Sequence, residues 1–144
     1  MAIARHAAGP RVDLRALASQ VHPVFMLPPV AASLFGAIVA GEFAPLVAAT
    51  HALAIGLAVY TAHVKDGYVD FYGRGEDDDH PLTCRGCRYA LVGAGIGFAA
   101  AAGALWLLVG TGAALLTLPT WAIGYLRNRR RESPALEGGD ESLS

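Results

Sequence analysis

The sequence predicts an all-α protein, a polytopic transmembrane helix bundle of about four spans. Of its 144 residues, 54% are hydrophobic and only 16% are charged, whereas soluble domains carry about 25% charged residues. The charges are also segregated: Glu42 is the single formal charge within residues 24–64, and residues 89–126 contain none. Four apolar stretches lie in these ranges, each long enough, or nearly so, to cross about 30 Å of hydrocarbon.

The first two spans are predicted at residues 24–40 and 43–63. The prolines of the first span lie in its early part, where a missing N–H costs a helix least. Gly41 and Glu42 supply a short turn, and the second stretch is long enough to span at about 1.5 Å per residue.

The third span is predicted at residues 89–109 and the fourth at 113–126, separated by a glycine-rich break at 110–112. The fourth stretch is short and contains Pro119. A single long, tilted helix from Tyr89 onward is the alternative, because a tilted helix accommodates a longer apolar stretch.

The transmembrane domain is therefore expected over residues 22–127, between an N-terminal segment, 1–21, and a disordered polar tail, 128–144. Four spans put both termini and the loop at 64–88 on one side, together with all eleven Lys and Arg residues. The positive-inside rule makes that side the cytoplasm and the chain a multi-pass protein of the cell membrane. Nucleic-acid binding has no support in this charge distribution.

The loop at 64–88 carries the candidate chemistry. If the second helix continues past His63 for two turns, His63, Asp66 and Asp70 share one face at spacings of three and four. Asp77 follows seven residues later. Clustered carboxylates repel one another unless water screens them or a divalent cation joins them, and Mg²⁺ takes carboxylate, water and phosphate oxygens. The pattern predicts a Mg²⁺ site made by Asp66, Asp70 and Asp77.

Within residues 65–77, two basic side chains accompany these carboxylates, Lys65 and Arg74. Both can bind phosphate oxygens, arginine through two parallel hydrogen bonds. A ligand with a diphosphate head and a hydrocarbon tail suits such a site at the mouth of an apolar bundle. The alternative is an ordinary charged loop with a solvated acidic run.

A motif in this loop resembles a known family. Residues 65–71 (KDGYVDF), continued at 74–77 (RGED), resemble the first aspartate-rich motif of the UbiA superfamily of intramembrane prenyltransferases, written N-D-x-x-D with a further Asp. Residues 80–86 (HPLTCRG) resemble the R-P-L-x-x-G stretch before the third helix of that family. Lys65 stands where the family usually has Asn.

The resemblance implies a UbiA-type bundle and Mg²⁺-dependent transfer of a polyprenyl group from its diphosphate to a lipophilic or aromatic acceptor. It adds Tyr68 to Lys65 and Arg74 as diphosphate-binding residues and names no catalytic residue. Family members have further helices and a second Asp-rich motif, which this chain lacks after Leu126. We therefore expect this chain to be an amino-terminal half that lies among membrane lipids and is inactive alone. Its partner would be a missing C-terminal half or further copies of the same chain in a homo-oligomer. The alternative is a non-enzymatic small membrane scaffold or transporter half.

Two further features admit competing interpretations. His51 lies mid-span and is expected to hydrogen-bond between helices, with ligand binding as the alternative. Cys84 and Cys87 are expected to be free thiols at a helix entrance, because structural zinc needs four ligands.

Overall fold

The computed structural model describes residues 10–41, 43–75, 80 and 82–126. These residues form helices and no strand, so the all-α prediction is confirmed for this part of the chain. The helices are α1 (Pro10–Ser19), α2 (Pro23–Val39), α3 (Pro45–Tyr68), α4 (Cys84–Leu108) and α5 (Thr111–Leu126). A π-helical segment, Val69–Arg74, continues α3 without a break.

Prolines begin several helices and glycines end them. α2 and α3 each start with a proline, whose fixed φ suits the first helical turn and whose missing N–H would have no partner there. The chain leaves α2, the π-helical segment and α4 through Gly41, Gly75 and Gly110, which have φ of 81°, 64° and 119°. Glycine has no Cβ and adopts these positive φ values without strain.

Helices α2 to α5 run alternately up and down. The ring of His22, just before α2, lies 4.9 Å from the ring of His63, late in α3. Lys65 of α3 contacts Tyr125 near the end of α5. One end of the bundle therefore collects the start of α2, the end of α3, the start of α4 and the end of α5. Asp66 and Asp70 lie there, and we call it the acidic end.

Helix α3 is the centre of the bundle, since α2, α4 and α5 all pack against it. Its mid-section forms a core cluster with α4 that consists of Ala54, Ala58, Phe98 and Ala101, covered by Leu57 and by Trp121 of α5. A second cluster, at the acidic end, consists of Val64, Leu82, Cys87 and Ala90. Alanines make up most of the first cluster and allow the backbones of α3 and α4 to approach closely.

The predicted spans correspond to helices, but their number as membrane spans is only partly confirmed. In the described part of the chain, two helices are long and apolar enough to cross a membrane, Pro45–Arg74 and Cys84–Leu108. Only 22% and 28% of their most apolar windows are buried, so most of this apolar surface faces outward. α2 and α5 have 17 and 16 residues, fewer than the roughly 20 that span hydrocarbon, and the four-span arrangement stays a prediction.

Two other expectations have clear outcomes. The single long helix from Tyr89 onward is wrong: the helix ends at Leu108, and α5 folds back against α3 and α4. The N-terminal segment contains α1, which the sequence analysis did not anticipate; α1 packs on the acidic end, where the Tyr60 hydroxyl donates to the Leu17 carbonyl at 3.3 Å. The predicted polar tail, 128–144, lies outside the described residues.

The turn before α5 yields a stability prediction. Gly110→Ala is expected to lower the free energy of unfolding by about 1–2 kcal/mol, because a Cβ is strained at positive φ. Gly112→Ala is the matched control: Gly112 is helical, and a Cβ there meets nothing within 4 Å. Both values come from titration with sodium dodecyl sulfate in mixed micelles, followed by circular dichroism. Equal stability of the two variants would contradict the prediction.

Candidate functional site at the acidic end

The structure describes two of the predicted metal ligands, Asp66 and Asp70. They lie one turn apart, at the end of α3 and in the π-helical segment that continues it. Asp66 is in the last turns of α3 and its side chain is exposed. Asp70 lies in the π-helical segment, where its Oδ1 forms an ion pair with Nη1 of Arg74 at 3.3 Å. The predicted loop at 64–88 is therefore wrong at both ends: the helix runs past the predicted end at His63 to Arg74, where Gly75 ends it, and α4 begins at Cys84. The condition under which Asp66 and Asp70 share a helical face is met.

His63, the third member of the predicted face, belongs to a different set of contacts. Its ring lies 4.9 Å from that of His22 and 6.1 Å from that of Phe25, both at the start of α2. Within the residues that the structure describes, no three His, Cys, Asp or Glu side chains form a group that could hold a metal ion. Asp77, the remaining predicted ligand, lies outside the described residues.

Lys65 is buried between helices, with 9% of its surface exposed. Its Nζ donates a hydrogen bond to the Tyr125 carbonyl at 2.9 Å and lies 4.2 Å from the centroid of the Tyr125 ring. Lys65 therefore joins the end of α3 to the backbone and the ring of Tyr125 in α5.

Tyrosines connect the π-helical segment to the start of α4. The Tyr72 hydroxyl donates to the Leu82 carbonyl at 2.8 Å, and the Tyr68 ring lies 5.3 Å from the Tyr72 ring. The thiol of Cys84 donates to the Tyr68 hydroxyl at 3.8 Å. Tyr68, predicted to bind diphosphate, thus lies beside the π-helical segment at the same end as Asp66.

His80 also lies at the acidic end, and its buried position against Phe71 and Gly67 was not predicted from the sequence. It is 3% exposed, its ring lies 5.6 Å from that of Phe71, and its Nδ1 accepts from the Leu82 N–H at 3.2 Å. Its Nε2 is buried and has no hydrogen-bond partner among the residues that the structure describes. The ring abuts Gly67 so closely that a Cβ on Gly67 would lie 2.8 Å from Nε2.

Cys84 and Cys87 are not joined in a disulfide; the first is exposed and the second is buried. Helix α4 begins at Cys84 because the Thr83 hydroxyl accepts a hydrogen bond from the Gly86 N–H at 2.9 Å, the usual N-cap arrangement. Thr83 was the available sequence signal for this start, five residues before the predicted one. Nothing in the sequence signalled the π-helical segment.

Among the described residues, the acidic end offers an exposed carboxylate, Asp66, a second carboxylate, Asp70, paired with a guanidinium, and the phenol of Tyr68. Mg²⁺ is usually bound through one or two carboxylates together with waters and phosphates, so Asp66 and Asp70 suit such an ion in ligand type. The chain matches no protein-family model, no curated protein and no solved structure.

Proposed function

We propose that this chain is a multi-pass membrane protein that binds the Mg²⁺ complex of a polyprenyl diphosphate at its acidic end, as a UbiA-type prenyltransferase does. The observation that carries the proposal is the placement of Asp66 and Asp70. They lie one turn apart on the polar extension of an apolar helix that is long enough to cross a bilayer. A head group bound there would leave its hydrocarbon tail beside the outward-facing apolar surface.

The chain's own groups have distinct roles in this proposal. Asp66 and Asp70 hold the metal, and Arg74 exchanges its ion pair with Asp70 for a diphosphate oxygen. Tyr68 offers a hydroxyl to the same head group. Bound Mg²⁺ would neutralise the charge that develops on the leaving diphosphate. The acceptor would be a lipophilic or aromatic molecule that enters from the membrane.

The membrane orientation is part of the proposal. The start of α2, the end of α5 and the π-helical segment all lie at the acidic end. The Lys and Arg residues lie outside the predicted spans. We propose that this end faces the cytoplasm, in keeping with the positive-inside rule. α2 and α5 then enter the bilayer beside α3 and α4, and their shorter lengths are accommodated by local thinning of the bilayer or by anchoring side chains.

Calorimetry on the detergent-solubilised chain tests the proposal with MgCl₂ and geranylgeranyl diphosphate as the probe. We expect saturable binding that requires Mg²⁺, and a loss of affinity of about tenfold, or about 1.4 kcal/mol, for Asp66→Ala and for Asp70→Ala. Thr50→Val, which removes a polar group from the far part of α3, is the control and should leave the affinity unchanged. The proposal would be refuted if the unaltered chain showed no Mg²⁺-dependent uptake. It would also be refuted if Asp66→Ala and Asp70→Ala bound the diphosphate as tightly as the unaltered chain does.

A second candidate, a non-enzymatic membrane scaffold or transporter half, is favoured by the position of Lys65. This predicted diphosphate ligand is buried and contacts Tyr125 of α5, as a packing residue would. Under this alternative Asp66→Ala leaves both fold and assembly intact, and the unaltered chain takes up no diphosphate. The same calorimetry therefore separates the two candidates.

A further inference from the structure

A cavity of about 420 Å³ lies between α2 and α3 at the end of the bundle opposite the acidic end. Its wall consists mostly of small apolar residues, among them Ala37, Ala44 and Ala48. Two polar side chains interrupt this wall, Ser33 from α2 and His51 from α3. His51 precedes Asp66 by fifteen residues of continuous helix, or about 22 Å, so the cavity is separate from the proposed diphosphate site.

Ser33 and His51 form a hydrogen-bonded pair across the two helices, with 2.6 Å between Ser33 Oγ and His51 Nδ1. This confirms the interhelical hydrogen bond expected for His51. Hydroxyls elsewhere in the bundle, such as those of Thr50 and Thr61, donate to a carbonyl one turn earlier. In the part of the chain that the structure describes, the recorded partner of Ser33 is His51. Because the described residues offer the Ser33 hydroxyl proton no other acceptor, we assign Ser33 as the donor and Nδ1 as the acceptor.

An imidazole that accepts at Nδ1 carries its proton on Nε2 when neutral. His51 Nε2 has no recorded partner among the described residues, and His51 lines the cavity. The surrounding alanines offer no side-chain acceptor, and at this position, about 9 Å along α3 from Pro45, water is scarce if α3 crosses a bilayer. The Nε2 donor of this half-buried ring is therefore available to an acceptor that another molecule brings into the cavity.

We propose that this cavity binds a lipophilic molecule through a carbonyl oxygen that accepts a hydrogen bond from His51 Nε2. Its volume falls within the range of about 300–1,000 Å³ that is usual for small-molecule sites. The small wall residues leave room for a flat ring or an acyl chain, and Ser33 fixes the imidazole in the donating tautomer. The carbonyl belongs either to an ester of a bilayer lipid or to a dissolved ketone or quinone.

The test uses nanodiscs made of ether-linked phospholipids, which contain no ester carbonyls. The probe is 6-dodecanoyl-2-dimethylaminonaphthalene, a lipophilic ketone whose emission shifts to longer wavelength when its carbonyl accepts a hydrogen bond. We expect a saturable, red-shifted signal above that of empty nanodiscs. His51→Phe keeps the aromatic ring and removes the donor, and should weaken this binding at least tenfold. Thr50→Val, on the adjacent position of α3, is the control and should leave it unchanged.

A second variant keeps the test independent of any folding defect in His51→Phe. Ala37→Phe fills the cavity without altering the Ser33–His51 pair, and should also abolish the saturable signal. The proposal would be overturned if the unaltered chain gave no saturable signal. It would also be overturned if His51→Phe and Ala37→Phe both bound the probe as well as the unaltered chain does.

Ester-linked nanodiscs distinguish the two sources of the carbonyl. If a bilayer lipid is the ligand, its ester groups compete and the apparent affinity for the probe falls at least tenfold. If a dissolved ketone or quinone is the ligand, the affinity is the same in both kinds of nanodisc. Either result supports a carbonyl site at His51, and neither depends on diphosphate binding at the acidic end.

Discussion

Lys65→Met is expected to lower the free energy of unfolding by about 3 kcal/mol, because it removes a charged hydrogen bond, worth about 1.5–3 kcal/mol, and a cation–π contact, worth about 0.5–2 kcal/mol. Methionine keeps the apolar stem in place between α3 and α5. The Tyr125 carbonyl, which accepts from Lys65 Nζ at 2.9 Å, loses that donor at the last turn of α5.

The measurement is titration with sodium dodecyl sulfate in mixed micelles, with helicity followed by circular dichroism. Arg88→Met is the matched control, since Arg88 is an exposed cation of α4 near the same end, and we expect it to stay within about 0.5 kcal/mol of the unaltered chain. If Lys65→Met is as stable as Arg88→Met, the contact with Tyr125 does not hold α5 in place.

Lys65→Met also separates two roles for the ammonium group. If Lys65 binds diphosphate, the affinity for geranylgeranyl diphosphate falls in the folded variant at low detergent. If it acts only by holding α5 against α3, the free energy of unfolding falls, and the affinity of the folded fraction for the diphosphate stays the same. The structure favours the second result for Lys65, because its Nζ already contacts both the carbonyl and the ring of Tyr125.

Apolar patterning predicted where the helices lie, but not where they end. The third predicted span began at Tyr89, whereas α4 begins at Cys84. Hydropathy marks the hydrocarbon-compatible part of a helix, and it passes over a polar first turn such as the one that contains Arg85 and Arg88. The Thr83 cap, not hydropathy, determines that boundary. α1 was missed for the same reason, because its turns mix apolar and charged residues.

At the acidic end, sequence spacing indicated one local feature and missed the long-range ones. Spacings of three and four put His63, Asp66 and Asp70 on one face only if the helix continued past its predicted end at His63, and the structure shows that it does. The contact of Lys65 with Tyr125 joins residues sixty positions apart, and no local pattern encodes it. The rings of Phe71 and Tyr72 in the π-helical segment likewise lie 5.6 and 5.8 Å from that of His80, and these contacts were not predicted either.

Gly67→Val is expected to lower the free energy of unfolding by about 2–3 kcal/mol, through overpacking against His80. A Cβ on Gly67 would lie 2.8 Å from His80 Nε2 and 3.3 Å from Cδ2, closer than nonbonded atoms approach. The better helix propensity of valine offsets only a few tenths of a kcal/mol. Gly93→Val, at an exposed position of α4 where a Cβ meets nothing within 4 Å, is the matched control.

Removal of the His80 ring tests the cause directly. In a double-mutant cycle, His80→Ala is expected to restore at least about 1 kcal/mol of stability to Gly67→Val, because the two positions are in contact and their effects are not additive. Additive effects would mean that His80 does not pack on Gly67.

Since Gly67 directly follows Asp66 on α3, the same cycle measured for diphosphate affinity shows whether close packing of His80 on α3 is needed to present the Asp66 carboxylate. A variant that is folded but has lost affinity, with recovery in the double variant, would establish that dependence.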